Sequence, residues 1–196
     1  EKGEAVYINR IVYDGDESKP FGSISNIQFS PKGKLTYVAS DRKNKYFIIQ
    51  GGELISSAFD YIADYRFLPG GTFAYVGTKY GNYDKKETDK YYVYIGDNSF
   101  GPYDLVSTAD WKNYSMVHGN RKGDYAYIAS NNTAAEGYNY KYRVYSNRWK
   151  SDKFDNISDL RIVNNKICFF AGNQLNRDEY IYSYKLFVDN KKLGDD

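Results

Sequence analysis

Four short stretches decide how this chain folds: Phe21-Gly22-Ser23-Ile24, Phe59-Asp60-Tyr61-Ile62, Tyr103-Asp104-Leu105-Val106 and Phe154-Asp155-Asn156-Ile157. Each runs aromatic, Asp or Gly, any residue, then Ile or Val. After each, beyond a small turn, comes an aromatic–x–small patch: Tyr37-Val38-Ala39, Tyr75-Val76-Gly77, Tyr127-Ile128-Ala129 and Phe169-Phe170-Ala171. The copies return roughly every 40–50 residues, a period that belongs to propeller blades and similar arrays of short strands.

The second copy shows what lies between. Residues 63–68 alternate as an inner strand, A, and Pro69-Gly70-Gly71 turns the chain. Residues 72–78 form strand B, with Phe73, Tyr75 and Gly77 alternating against Ala74 and Val76. A polar loop over 79–90 leads to strand C at 91–95, then Gly96-Asp97-Asn98 turns into an outer strand D over 100–106. Gly and Asn supply the positive φ these turns need. The A–B turn recurs as Lys32-Gly33, Lys122-Gly123 and Asn164-Asn165. Strand C recurs around Ile11, Ile49, Val93, Val144 and Phe187, once more than A and B. The chain thus opens on a C–D hairpin (5–24) and ends near a C strand (184–189). The expected fold is all-β: a β-propeller of four-stranded antiparallel blades. It is one domain over 1–196, with a partial repeat at 5–24 and full repeats at 25–62, 63–106, 107–157 and 158–196. It is either a small closed ring, whose last blade borrows Phe21–Ile24 as its D strand, or an arc of a larger one.

Composition narrows the function. With 27 basic and 25 acidic residues the net charge is +2, too balanced for a nucleic-acid groove or an anionic membrane surface. No apolar run approaches the roughly 20 residues that span a bilayer. No signal peptide is visible, and a start at Glu1 rather than Met fits a trimmed chain. A single cysteine excludes an internal disulfide and a Cys-based metal cluster. Cys168 aligns with Thr36, Ala74 and Ala126 and is expected as a small buried strand residue. The single histidine, His118, falls in the lengthened A–B region of the third repeat and reads as a loop residue. No P-loop, dinucleotide or zinc-protease motif is present, and no cofactor or metal is implied. Asp14-Gly15-Asp16-Glu17 reads as a C–D turn rather than a calcium loop. A non-catalytic module binding a protein or a glycan is therefore expected. The alternative is a glycoside-processing propeller enzyme with paired carboxylates, although no acid pair sits in an apolar setting that would raise one pKa.

Two groups of residues are candidates for function. The last three B–C loops (79–90, 130–141 and 173–183) are longer than the first. They carry Tyr80, Tyr83, Tyr138 and Tyr140 with Asn82, Asn131, Asn132, Asn139 and Asn173. Long loops on a rigid scaffold are where binding sits, and Tyr with Asn is paratope-like chemistry. The second group lies on strand A, where Asp64/Arg66, Asp110/Lys112 and Asp159/Arg161 interleave with the apolar Tyr65/Phe67, Trp111 and Leu160/Ile162. Asn26/Gln28 take these places in the first repeat, beside Ile27/Phe29. Innermost strands would bring these side chains to the axis, as a channel or as a ring of ion pairs between neighbouring blades.

The run Phe29-Ser30-Pro31-Lys32-Gly33-Lys34-Leu35-Thr36-Tyr37-Val38-Ala39 resembles the repeat signature of TolB-type, WD-repeat-like bacterial propellers. Gly101-Pro102-Tyr103-Asp104 resembles the strand-D run of the same repeats, and Phe67-Leu68-Pro69-Gly70-Gly71 is a second, weaker copy of the turn. Lys32 replaces the usual Asp, and repeats three and four lack the Pro. The resemblance implies a propeller, a binding role and a periplasmic or extracellular setting. It implies no catalytic residue, because the shared motif is turn chemistry and packing.

Overall fold

A computed structural model describes residues 8–85, 87–107, 116–131, 141–176 and 181–194, leaving the Tyr83 side chain aside. The chain is all-β, in five antiparallel sheets of two to four strands; among the described residues the one helical turn is a 3-10 turn at Tyr83–Lys85. The first sheet is the expected hairpin, β1 (Val12–Tyr13) with β2 (Asp16–Glu17), turned by Asp14 and Gly15 at positive φ. Sheet I follows as a meander of β3 (Ser23–Phe29), β4 (Leu35–Ser40), β5 (Tyr46–Gln50) and β6 (Glu53–Leu54). Sheet II repeats it with β7 (Tyr61–Phe67), β8 (Phe73–Lys79), β9 (Lys90–Ile95) and β10 (Asn98–Tyr103). In sheet III the first strand is split into β11 (Leu105–Ser107) and β12 (Val117–Gly119), which pair with opposite halves of β13 (Tyr125–Ser130); β14 (Tyr142–Ser146) lies beyond. Sheet IV is β15 (Asn156–Val163), β16 (Lys166–Asn176), β17 (Ile181–Val188) and β18 (Lys191–Lys192).

The boundary between sheets falls inside the four-residue motif, two or three residues earlier than the sequence reading put it. Strand D of sheet II ends at Tyr103, and Leu105 and Val106 already pair with Ser130 and Ala129 of sheet III. The motif's Ile or Val is thus the opening of strand A, and it pairs with the small residue of the patch every time: Ile24 with Ala39, Ile62 with Gly77, Val106 with Ala129, Ile157 with Ala171. The motif's aromatic ring meets the patch's aromatic edge-on, at 6.0 Å in Phe21–Tyr37, 6.3 Å in Phe59–Tyr75, 5.9 Å in Tyr103–Tyr127 and 6.4 Å in Phe154–Phe169. Tilted and edge-on rings are favoured by the aromatic quadrupole, so this contact adds to its area term. The last sheet does not borrow Phe21–Ile24 either: Ser23 and Ile24 belong to sheet I, and β17 is followed by its own β18.

Hydrophobic packing runs between consecutive sheets. Val38 and Ile48 of sheet I meet Tyr65 and Tyr75 of sheet II; Ala74, Val76, Val93 and Ile95 meet Val117, Tyr127 and Ala129 of sheet III; Ala126, Ile128 and Val144 meet Leu160, Ile167 and Phe169 of sheet IV. Tyr37, Ala39 and Ile49 meet Phe21 and Ile11 of the hairpin. Each sheet therefore has a near face, toward the preceding sheet, and a far face, toward the next. Near faces of sheets II to IV carry parallel stacked rings: Tyr75–Tyr94 at 4.5 Å, Tyr127–Tyr145 at 5.4 Å and Phe169–Phe187 at 5.1 Å. Burial raises the Tyr75 and Tyr127 phenols far above their ordinary value and pushes Tyr65 up to about 12. Among the described residues no buried cluster joins sheet IV back to the hairpin or to sheet I.

Short D strands are possible because a serine beyond the C–D turn bonds strand C. Ser18, Ser56 and Ser151 each accept the amide of Ile11, Ile48 or Val144 at 2.9 Å. Gly77 shows how tightly the ring contact is set: a Cβ there would lie 2.6 Å from the Phe59 ring. Gly77→Val should cost about 1–3 kcal/mol in urea unfolding, as overpacking does, and adding Phe59→Leu should recover part of that loss.

Candidate functional site

The B–C and D–A connections share one end of the sheets, and the acid of the motif stands at that end. Lys45 pairs with Asp60, Lys90 with Asp104 and Lys141 with Asp155, and each lysine immediately precedes the tyrosine that opens strand C or lies next to its start. The second carboxylate oxygen reaches forward: Asp60 Oδ2 accepts the Tyr80 amide and Asp155 Oδ2 the Gln174 amide, both at 3.0 Å. The acid's own amide reaches forward as well, from Asp60 to the Thr78 carbonyl and from Asp104 to the Ser130 carbonyl, at 2.9 Å in each case. One aspartate thus holds strand C of its own sheet and the end of strand B of the next. In the first copy Gly22 keeps the amide bond, to the Ser40 carbonyl at 2.8 Å, but a Cβ would lie 2.7 Å from the Asp41 carbonyl oxygen, so no aspartate fits there. The sequence reading found the acids and missed the lysines. Their signal was the repeated Lys-Tyr of Lys45-Tyr46, Lys90-Tyr91 and Lys141-Tyr142.

Of the expected loop residues, the described ones are Tyr80, Asn82, Tyr83, Asn131 and Asn173. Tyr80 is 58% exposed, although its amide is held by Asp60. Asn131 is exposed just beyond β13. The loop after Tyr80 is internally bonded: Gly81 donates to Asp89 Oδ1, and the Asn82 carbonyl accepts the Lys85 and Glu87 amides, all at 3.0 Å. Tyr83 opens the 3-10 turn at Tyr83–Lys85. Asn132, Tyr138, Asn139 and Tyr140 lie outside the described residues. The third long loop is shorter than expected, because Asn173 pairs with Ser183 inside the hairpin of β16 and β17.

The strand-A acids behave differently from one another. Asp64 is buried; its Oδ1 accepts Arg66 Nε–H at 2.9 Å and its Oδ2 accepts the amides of Met116 at 2.9 Å and Val117 at 3.4 Å. It fastens β7 to β12 of the next sheet through backbone rather than through a base. Asp159 lies 3.6 Å from Arg161, and both are largely in water. Asp110, Trp111 and Lys112 lie outside the described residues. The described pairs join an acid to the base two residues along its own strand, so the expected pairing of acid to neighbouring blade is not what they form. Bulges explain this. The ladder slips between Ser25 and Gln28, between Ile62 and Asp64, and between Ser158 and Arg161, and Asn26 and Asp159 adopt positive φ. A bulge breaks the period of two on which the alternating face was built.

Two further expectations are corrected. His118 sits in β12 opposite Ala126, not in a loop. Cys168 is only partly covered, whereas its counterparts Thr36, Ala74 and Ala126 are buried, because Cys168 lies on the far face of the last sheet. At the opposite end a crevice of about 370 Å³ lies between the hairpin and sheet I, with Tyr13, Asp16, Glu17, Lys34 and Tyr37 on its walls. Neither protein-family models nor curated proteins give a match to this chain.

Burial raises the Asp60 carboxyl, but Lys45, the Tyr80 amide and Lys79 more than offset that, and it sits below its ordinary value of 3.8. A depressed carboxylate stabilises the fold above its unfolded value, and the gain is lost as pH falls through the folded value. Asp60→Asn should cost about 1 kcal/mol at neutral pH and flatten the loss of stability below about pH 4, read by urea unfolding across a pH series. Asp64→Ala should cost about 3 kcal/mol, since it strands Arg66 and two amides, while Asp159→Ala should cost under about 1 kcal/mol. Equal costs for the last two would contradict the difference in their surroundings.

Proposed function

We propose that this chain is a non-catalytic binding module whose sheets are blades of a β-propeller, or of an arc of one, and whose B–C loops contact a protein or glycan partner. Three features support this reading. A four-stranded meander recurs in sheets I, II and IV, and the Lys–Asp junction recurs at Asp60, Asp104 and Asp155. The described B–C residues Tyr80 and Asn131 are exposed at the end where the Lys–Asp junctions fix the strands. An exposed tyrosine on an anchored backbone offers a large contact area at low entropic cost. The observation that carries the proposal is Tyr80, whose exposed ring stands on an amide held by Asp60. A periplasmic or extracellular setting and a TolB-like, WD-repeat-like kinship are part of the proposal and rest on the Phe29–Ala39 and Gly101–Asp104 runs.

The test is a partner screen on two arms, a glycan array and affinity capture with this chain as bait, followed by substitution of Tyr80, Tyr83, Tyr138 and Tyr140 by Ala together. Melting should barely change, because exposed loop substitutions usually stay within about 0.5 kcal/mol each. Affinity for the captured partner should fall by roughly 2 kcal/mol or more. Unchanged affinity would move the site to the opposite end, and turnover of any glycan on the array would replace the binding module with an enzyme.

A further inference from the structure

The far face of sheet IV carries the chemistry of an internal packing surface, and no sheet among the described residues packs on it. By register, Phe170 stands where sheets I to III have Val38, Val76 and Ile128, and Leu186 stands where they have Ile48, Val93 and Val144. Those six side chains are at most 2% exposed, whereas Phe170 is 41% exposed and Leu186 is only partly covered. Beside them Tyr184, 45% exposed, lies over Gly172.

The other end of the stack is apolar too. Ile8 and Val12 of the hairpin are 51% and 71% exposed, and they alternate with Ile11, which packs against sheet I. Most of the exposed large apolar side chains among the described residues belong to the hairpin, to β3 or to sheet IV. Such patches on a protein in water mark contact surfaces. Charge distinguishes the two ends. The far face of sheet IV has Arg161, Lys166 and Lys191 at its margins, all exposed, with Arg161 lying 3.6 Å from Asp159. The hairpin turn has exposed Asp14, Asp16 and Glu17, with Glu17 also held by Arg10 at 2.9 Å. Two far faces brought together would oppose like charges. A far face against a hairpin opposes unlike ones.

We infer that copies of this chain associate head to tail, the far face of sheet IV of one copy docking on the hairpin end of the next. The contact continues the sheet-on-sheet packing already present three times within the chain, and it leaves the B–C loop end open, so it stands or falls separately from the binding proposal. A head-to-tail contact is heterologous: it closes into a ring or grows into a filament.

The test is sedimentation velocity of the purified chain over a concentration series, with three further samples: Phe170→Glu, Val12→Lys and their equimolar mixture. The native chain should gain mass with concentration beyond a dimer. Each single variant should lose at least about tenfold in association constant, since each spoils one end. The mixture should recover dimers and nothing larger, because only the intact far face of Val12→Lys and the intact hairpin of Phe170→Glu remain to meet. Thermal melts confirm folding, and Tyr184→Lys replaces Phe170→Glu if the latter melts early. A native chain that stays monomeric at every concentration overturns the inference. So does association that one variant abolishes and the other leaves intact, which would mean a two-fold contact of like ends.

Discussion

The structure depends on one junction: an aromatic ring closing one sheet, followed at once by the residue that crosses to the next. Phe59 is wedged against Tyr75 at 6.3 Å and 69°, with Gly77 beneath it, while Asp60 takes Lys45 behind and the Tyr80 amide ahead. The ring supplies apolar area and the acid supplies direction. Neither alone would hold two sheets in register, because a ring can slide on a flat sheet and an exposed ion pair contributes little. Together they set where one strand ends and the next begins, which is why the break falls at Asp104 and not after Val106.

From that junction the two-faced character of the sheets follows. The crossing places each strand B between two neighbours, so both of its faces are buried in sheets I to III. One face takes the stacked rings and the other the small and β-branched residues. Large rings opposite small partners let the sheets interdigitate. Among the described residues sheet IV has only its near face covered, and its far face shows the same pattern without a packed sheet.

Much of this was legible in the residues. The motif's Ile or Val and the small residue of the aromatic–x–small patch lie opposite each other in every copy, as Ile24 with Ala39 and Ile157 with Ala171 illustrate. The turns were legible because Asn164, Asn165 and Gly33 need positive φ. What escaped was whatever depends on partners far apart in sequence. The lysine that holds each acid lies 14 or 15 residues upstream, at the start of strand C, and although Lys-Tyr recurs there nothing local ties Lys90 to Asp104. The bulges that turn Asn26 and Asp159 were hidden because one inserted residue leaves composition unchanged while reversing every later side chain. Cys168 was expected inside because its counterparts are, and only the order of the sheets shows that it lies on the far face of sheet IV, where no other described sheet packs.

The central claim, that the motif's ring and the patch's ring act as one unit between sheets, is tested most directly by a double-mutant cycle on Phe59→Leu and Tyr75→Leu in urea unfolding at neutral pH. Edge-on rings held in this way should couple by about 1 kcal/mol beyond the sum of the single losses. A coupling near zero, with two independent and additive losses, would mean that the rings merely fill space and that something other than the junction sets the register of the sheets.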